Sequence, residues 1–159
     1  MEKDHYIGVD ISKKTIDVAI YVKNQAKKGA FPHETFSNSE EGFKDMKKWL
    51  RKQHVVLSKS LFCMEATGNY TYELCLFLEQ LGVAYSIQSP LHLKRSFGLT
   101  HGKNDKVDAS RIAYYAYLHR EDIKLSKLAS DSVRKLKALI AERKSLVVEI
   151  ARCKSQLKE

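Results

Sequence analysis

Residues 5–22, HYIGVDISKKTIDVAIYV, are two apolar, β-branched runs separated by the polar turn Ser12-Lys13-Lys14. Such a pair specifies a β-hairpin. A two-stranded hairpin is marginal alone in water, so the rest of the chain must extend and cover it. A third run, roughly Gly29 to Ser37 with Phe31 and Phe36, prolongs the meander.

The pattern then changes to alternation. Asn38-Ser39 offers a helix cap before EEGFKDMKKWLRKQ, where Phe43, Met46, Lys47, Trp49 and Leu50 form a stripe at helical spacing. Ser60 to Met64 reads as a buried strand, residues 70–81 as a periodic helix stopped by Gly82, and Val83 to Ile87 as another strand. After Pro90 the chain is a basic, glycine-containing stretch, and a helix follows from about Asp105 to His119 with Ile112, Tyr115, Ala116 and Leu118 on its apolar side. A meander followed by alternating helices and strands predicts an α/β fold, a mixed sheet with flanking helices.

From Ser130 a helix without Gly or Pro runs toward the last residue. Leu136, Leu139, Arg143, Leu146, Ile150, Cys153 and Leu157 repeat at 3-4 spacing, the start of a coiled-coil seam interrupted by Arg143. A helix resting on its own domain has the same pattern. The expected organisation is a domain over 1–125 and a basic helix over 126–159, with the helix continuing beyond this chain.

Charge narrows the partners. Twenty-eight Lys and Arg against nineteen Asp and Glu give +9, and Lys124 to Lys158 holds ten basic residues and three acidic ones. Such a field favours polyanions, although a solvated basic helix has the same composition. Neither a membrane-length apolar run nor a signal-peptide core is present, so the expectation is a cytosolic protein. Cys63, Cys75 and Cys153 lack metal-ligand spacing and read as reduced core thiols.

Four acids stand where chemistry would use them. Asp10 closes the run YIGVD and Glu65 closes LFCME; a carboxylate at the end of a central strand loses solvation and needs a compensating cation. Asp105 and Asp108 lie one turn apart on one helix face. Singly, each has a plain structural role as turn, amide acceptor or cap. Together they suit two divalent ions, Mg²⁺ or Mn²⁺, which prefer hard oxygen ligands and can activate an attacking oxygen while stabilising a leaving one. Lys94, Arg95, Lys103, Lys106 and Arg111 are candidate nucleic-acid contacts. His101 is the histidine nearest the Asp pair, and Tyr114, Tyr115 and Tyr117 fit helical packing.

The blocks YIGVDISKKTIDVAI, MEATGNYTYEL and KNDKVDASRIA, in this order and joined by VAYSIQSPLHLKRSFGLTHG, resemble the insertion-sequence-110 transposases, which include the Piv/MooV-type DNA invertases. The resemblance covers roughly residues 5–120. It implies an RNase H/RuvC-like fold with the family's DEDD acids on Asp10, Glu65, Asp105 and Asp108, binding Mg²⁺ or Mn²⁺. It also implies a bacterial, nucleoid-associated recombinase acting on DNA, in some members with an element-encoded guide RNA. A carboxy-terminal serine domain, needed for the full reaction, is expected to follow the helix, so the fragment alone is expected to be inactive. One departure is Asn104, where the family commonly has Thr.

Two other readings use the same residues: a stand-alone RuvC-like nuclease, and a non-catalytic nucleic-acid-binding and dimerisation module joined through the last helix. An actin-like ATPase shares the acidic starting hairpin, but its glycine-rich phosphate loops find no counterpart among seven scattered glycines.

Overall fold

The computed structural model describes residues 3–23, 31–97 and 105–157, with the side chains of 97 and 105–107 outside that description. The hairpin forms as expected: β1 (His5–Ile11) and β2 (Thr15–Val22) are antiparallel, and β3 (His33–Ser37) continues the meander on β2. Strand β3 is shorter than its apolar run because Pro32 lacks an N–H for the ladder. Strands β4 (Ser60–Glu65) and β5 (Ala84–Gln88) add in parallel on the other side of β1, giving the order β3-β2-β1-β4-β5. β1 is therefore central.

Side-chain alternation sends the strands' two faces to different helices. Ile7, Val9, Ile16, Val18, Ile20, Phe62 and Met64 occupy one face and are almost fully buried. Helices α1 (Glu40–Lys52) and α2 (Tyr72–Gln80) bury Phe43, Met46, Leu50, Leu74, Cys75 and Leu78; Cys75 Sγ lies 3.8 Å from Met64 Sδ. Ser39 caps α1 through its hydroxyl, which accepts from the Gly42 amide, and Gly82 at φ +64° ends α2. A short 3-10 turn, Gly68–Thr71, replaces the predicted first turn of α2.

On the opposite face lies α4 (Asp105–Leu118), packed across β1, β2 and β4. Ala109, Ile112, Ala113, Tyr115 and Ala116 are buried there with Tyr6, Tyr21, Leu61 and Cys63. Leu118, expected on this apolar side, is instead 50 % exposed, since it falls beyond the sheet's edge of contact in the helix's last turn. The basic stretch after Pro90 also departs from expectation. Its described part is a helix, α3 (Pro90–Phe97), whose Leu93 is buried in the same core. Proline occupies the first helical position, where its missing N–H costs nothing.

The chain divides into two compact units, Met1–Lys127 and Leu128–Glu159. The second is α5 (Asp131–Gln156), started by Ser130, whose hydroxyl accepts from the Val133 amide. None of its residues is buried. Cys153 is accordingly exposed, correcting its expected place among core thiols, whereas Cys63 and Cys75 are buried. Burial pushes both buried thiols up to about 12. At pH 8 one thiol of three should react with a disulfide reagent in the native protein, and all three after denaturation. Rapid native reaction of a second thiol would contradict this packing.

Candidate functional site

Asp10 and Glu65 stand at the same end of the sheet, on neighbouring strands. The parallel β1–β4 register ends with Val9 opposite Met64, and Asp10 and Glu65 are the next residue on each strand. Both belong to the face covered by α4, because Asp10 follows Gly8, and Glu65 follows Cys63, by one full alternation. Both are part-buried.

The position of α4 depends on Gly8. A Cβ built there would meet the Ala109 carbonyl oxygen at 2.0 Å and the Ala113 nitrogen at 2.3 Å, so the helix backbone touches the strand. Farther along, Tyr117 packs on Tyr6, ring centroids 5.4 Å apart. Helix and strand therefore run in opposite directions. A strand advances about 6.6 Å per two residues and a helix about 6 Å per four. The step from Gly8 to Asp10 thus matches the step from the middle of α4 back to its first turn, Asp105 to Asp108.

Asp108 is part-buried, and its Oδ1 lies 3.4 Å from Arg111 Nη1. The guanidinium occupies the counter-charge position beside this carboxylate. Lys94 and Arg95, in the last turn of α3, are exposed. Lys106 lies on α4, but its side chain, like that of Asp105, is outside the described set; Lys103, His101 and Asn104 are outside the described residues altogether. Among the described residues, no three His, Cys, Asp or Glu side chains are close enough to hold a metal ion.

The sequence reading missed a neighbour. Antiparallel register puts Asp17 directly opposite Asp10, on the same face. Thr35 Oγ1 donates to Asp17 Oδ1 at 2.6 Å. His33 Nε2 is 3.3 Å from the same oxygen, near enough for an ion pair when protonated but not aligned as a hydrogen bond. The signal was available: residues seven apart around a three-residue turn face each other in a hairpin. Gln88 is a second such residue, next to Glu65 in register, and its Oε1 accepts from the Tyr115 hydroxyl at 3.3 Å.

Polar groups around this sheet end are tied together. Asn38 Nδ2 donates to the carbonyls of Ser12 (2.9 Å) and Tyr70 (3.1 Å), joining the hairpin turn to the loop after Glu65. Asn38 Oδ1 and Thr67 Oγ1 are buried there without a protein hydrogen-bond partner. Carboxylate oxygens with orphaned oxygen acceptors are the donor chemistry of a hard divalent cation. The tyrosines fill other space: Tyr115 is buried, while Tyr114 and Tyr117 pack their rings against Tyr21.

Comparison with known proteins agrees with this architecture. Residues 7–159 match the family described as DEDD Tnp IS110, Transposase. The pilin gene-inverting proteins of Moraxella bovis and Moraxella lacunata are each 32% identical over 141 residues, 87% of this chain. The chain spans 41% of the length of these relatives. Among solved structures, Thermus thermophilus RuvC superposes with a TM-score of 0.51 at 13% identity, covering 77% of this chain and 99% of RuvC. The same protein in complex with Holliday junction substrate gives 0.54 at 11% identity, with the same coverage. At that identity the likeness carries the fold, which is RNase H-like α/β.

Proposed function

Because this chain belongs to the IS110 DEDD transposase family, we propose that it supplies the carboxylate half of a DNA recombinase, cleaving and transferring phosphodiester strands with divalent metal. What supports this most directly is the Gly8 contact, which holds α4 against β1 two residues before Asp10, with Glu65 following the last paired residue of the neighbouring β4. In this reading residues 1–125 are the catalytic domain and 126–159 a coiled-coil helix leading to a serine-bearing domain that completes the reaction.

Asp10, Glu65, Asp105 and Asp108 would hold Mg²⁺ or Mn²⁺. When bound, a pair of such ions polarises the scissile phosphate and lowers the barrier for an attacking oxygen. The residues' own tasks follow from their placement. The two strand-end carboxylates are fixed by the sheet, so they set the position of the site. Asp108 would be one of the cation's ligands, and Arg111, now beside it, would meet a phosphate oxygen, as Lys94, Arg95, Lys103 and Lys106 would along the same backbone. DNA is the substrate, and an element-encoded RNA is a further partner of the complete protein, which acts at the bacterial nucleoid. Among the described residues no helix is long and apolar enough to cross a membrane.

The test is strand cleavage of a supercoiled element-end plasmid by the full-length protein, with and without EDTA. Cleavage that needs Mg²⁺ or Mn²⁺ and disappears in Asp108→Asn supports the proposal. Binding to DNA that is indifferent to metal, with no cleavage under any condition, would favour a nucleic-acid-binding module instead.

The same reading makes α5 a dimerisation helix. Leu136, Leu139, Leu146 and Ile150 are each more than half exposed, and an amphipathic stripe of this length is stable when paired. Sedimentation should show a dimer that Leu139→Lys converts to monomer. A monomeric wild-type chain at high micromolar concentration would remove this part of the proposal.

A further inference from the structure

A second charged site lies at the other end of the sheet. A cavity of about 550 Å³ is lined by Lys3, Lys23 and Arg120, by one acid, Glu121, and by the apolar side chains of Leu61, Ile123 and Leu125. The three cations come from three segments: before β1, after β2 and after α4. Among the described residues they exceed the acid by two charges.

Lys3 is the unusual member. Only 9 % of it is exposed, although an ammonium ion loses far more hydration on burial than a neutral group. Its Nζ donates to the Ser58 carbonyl at 2.9 Å, which satisfies one of three N–H groups and neutralises no charge. Of the described acids nearby, Asp4 is paired outside the cavity, while Glu121 meets Arg120 from an exposed position. Asp4 Oδ2 sits 3.5 Å from Lys59 Nζ, and Glu121 Oε1 lies 3.6 Å from Arg120 Nη2 with its side chain 84% exposed. Arg120 is itself held in place, donating from Nη1 to the Tyr117 carbonyl at 2.9 Å with its guanidinium carbon 4.7 Å from the Tyr117 ring centre. A buried cation and a positioned guanidinium lining one cavity are the arrangement an anion would complete.

We propose that this cavity binds a nucleoside phosphate, with the phosphate on Lys3 and Arg120 and the base against Leu61, Ile123 and Leu125. Its volume lies in the range of about 300–1,000 Å³ typical of small-ligand sites, well beyond the need of a bare phosphate. Seven residues of mostly extended chain separate Lys3 from Asp10, roughly 20–25 Å. A strand seated here thus gains an anchor remote from the carboxylates. The inference draws on the proposed function for its source of phosphate, a nucleic-acid strand, while the chemistry of the cavity is independent of that reading.

The experiment measures binding of a short fluorescein-labelled single strand, and thermal shifts with deoxyadenosine monophosphate, for the wild-type chain and for Lys3→Met and Arg120→Ala. A Lys44→Ala/Lys48→Ala protein controls for lost charge. Each site variant should weaken the strand by about tenfold or more and flatten the salt dependence by roughly one phosphate contact, leaving the control near wild type. Lys3→Met should melt no lower than wild type without ligand, because it removes a buried charge. A thermal shift with the mononucleotide matching that of the strand identifies a free nucleotide as the ligand; a shift confined to the strand identifies nucleic acid.

Site variants that bind like the control overturn the proposal. So does Lys3→Met that melts lower yet binds normally, since Lys3 would then be only structural. Should Lys3→Met fail to fold, Arg120→Ala decides alone. Strand affinity that survives both variants but collapses in Asp10→Asn would place the nucleic acid at the carboxylates only, leaving the proposed function standing without this site.

Discussion

Gly8→Ala should lower the melting temperature by roughly 10 °C, a loss of about 3 kcal/mol or more. The added methyl would sit 2.0 Å from the Ala109 carbonyl oxygen and 2.3 Å from the Ala113 nitrogen, both backbone atoms. A flexible side chain could swing aside, but here α4 itself must lift from β1. Lifting it opens contacts with Tyr6, Tyr21 and Cys63 together, so the cost is shared by the whole face. Calorimetric or circular-dichroism melting reads the effect. A shift under about 2 °C would mean that helix and strand are not in contact at Gly8. The same substitution should weaken metal binding without touching a carboxylate, because the first turn of α4 moves away from Asp10.

The second large effect concerns Asp10. Isothermal titration with Mn²⁺ should show binding by the wild-type chain that Asp10→Asn weakens by at least a hundredfold, beyond the roughly 10–100-fold typical of residues that merely orient a ligand. Asp108→Asn should do the same, although the two residues lie on different elements. Equal loss from a strand and a helix requires one site between them. Wild-type binding that ignores both substitutions would sink the carboxylate assignment. Asp10 also faces Asp17 across the hairpin, and like charges opposite each other are destabilising. Melting of metal-free Asp10→Asn beside wild type separates loss of metal from loss of structure.

How much of this could be read from the sequence depends on what each residue's neighbours encode. The hairpin, the Ser39 cap and the stop at Gly82 are local signals, and the structure has them where the sequence puts them. Helix α3 was hidden because Pro90 and the basic run after it resemble a loop, while the buried Leu93 that fixes it has partners distant in sequence. Leu118 and Cys153 were misjudged for the same reason. Apolar character says that a side chain gains by burial, but the reach of the facing surface decides whether it is buried. At the candidate site, the strand-end acids were legible because an acid after an apolar run is costly. Asp17 was not, since its meaning arises only from the cross-strand register.

The remaining consequence lies at the β5 edge. Ser126 N–H donates to the Tyr85 carbonyl at 2.8 Å, the Ile87 N–H donates to Ser126 Oγ at 2.9 Å, and Ser86 Oγ donates to the Lys124 carbonyl at 2.7 Å. The polypeptide leaving the first unit therefore spends its own amides and hydroxyls on the outermost ladder. An incoming strand finds the Tyr85 carbonyl and the Ile87 N–H of that edge already engaged, which guards this edge against fibrous, sheet-to-sheet growth.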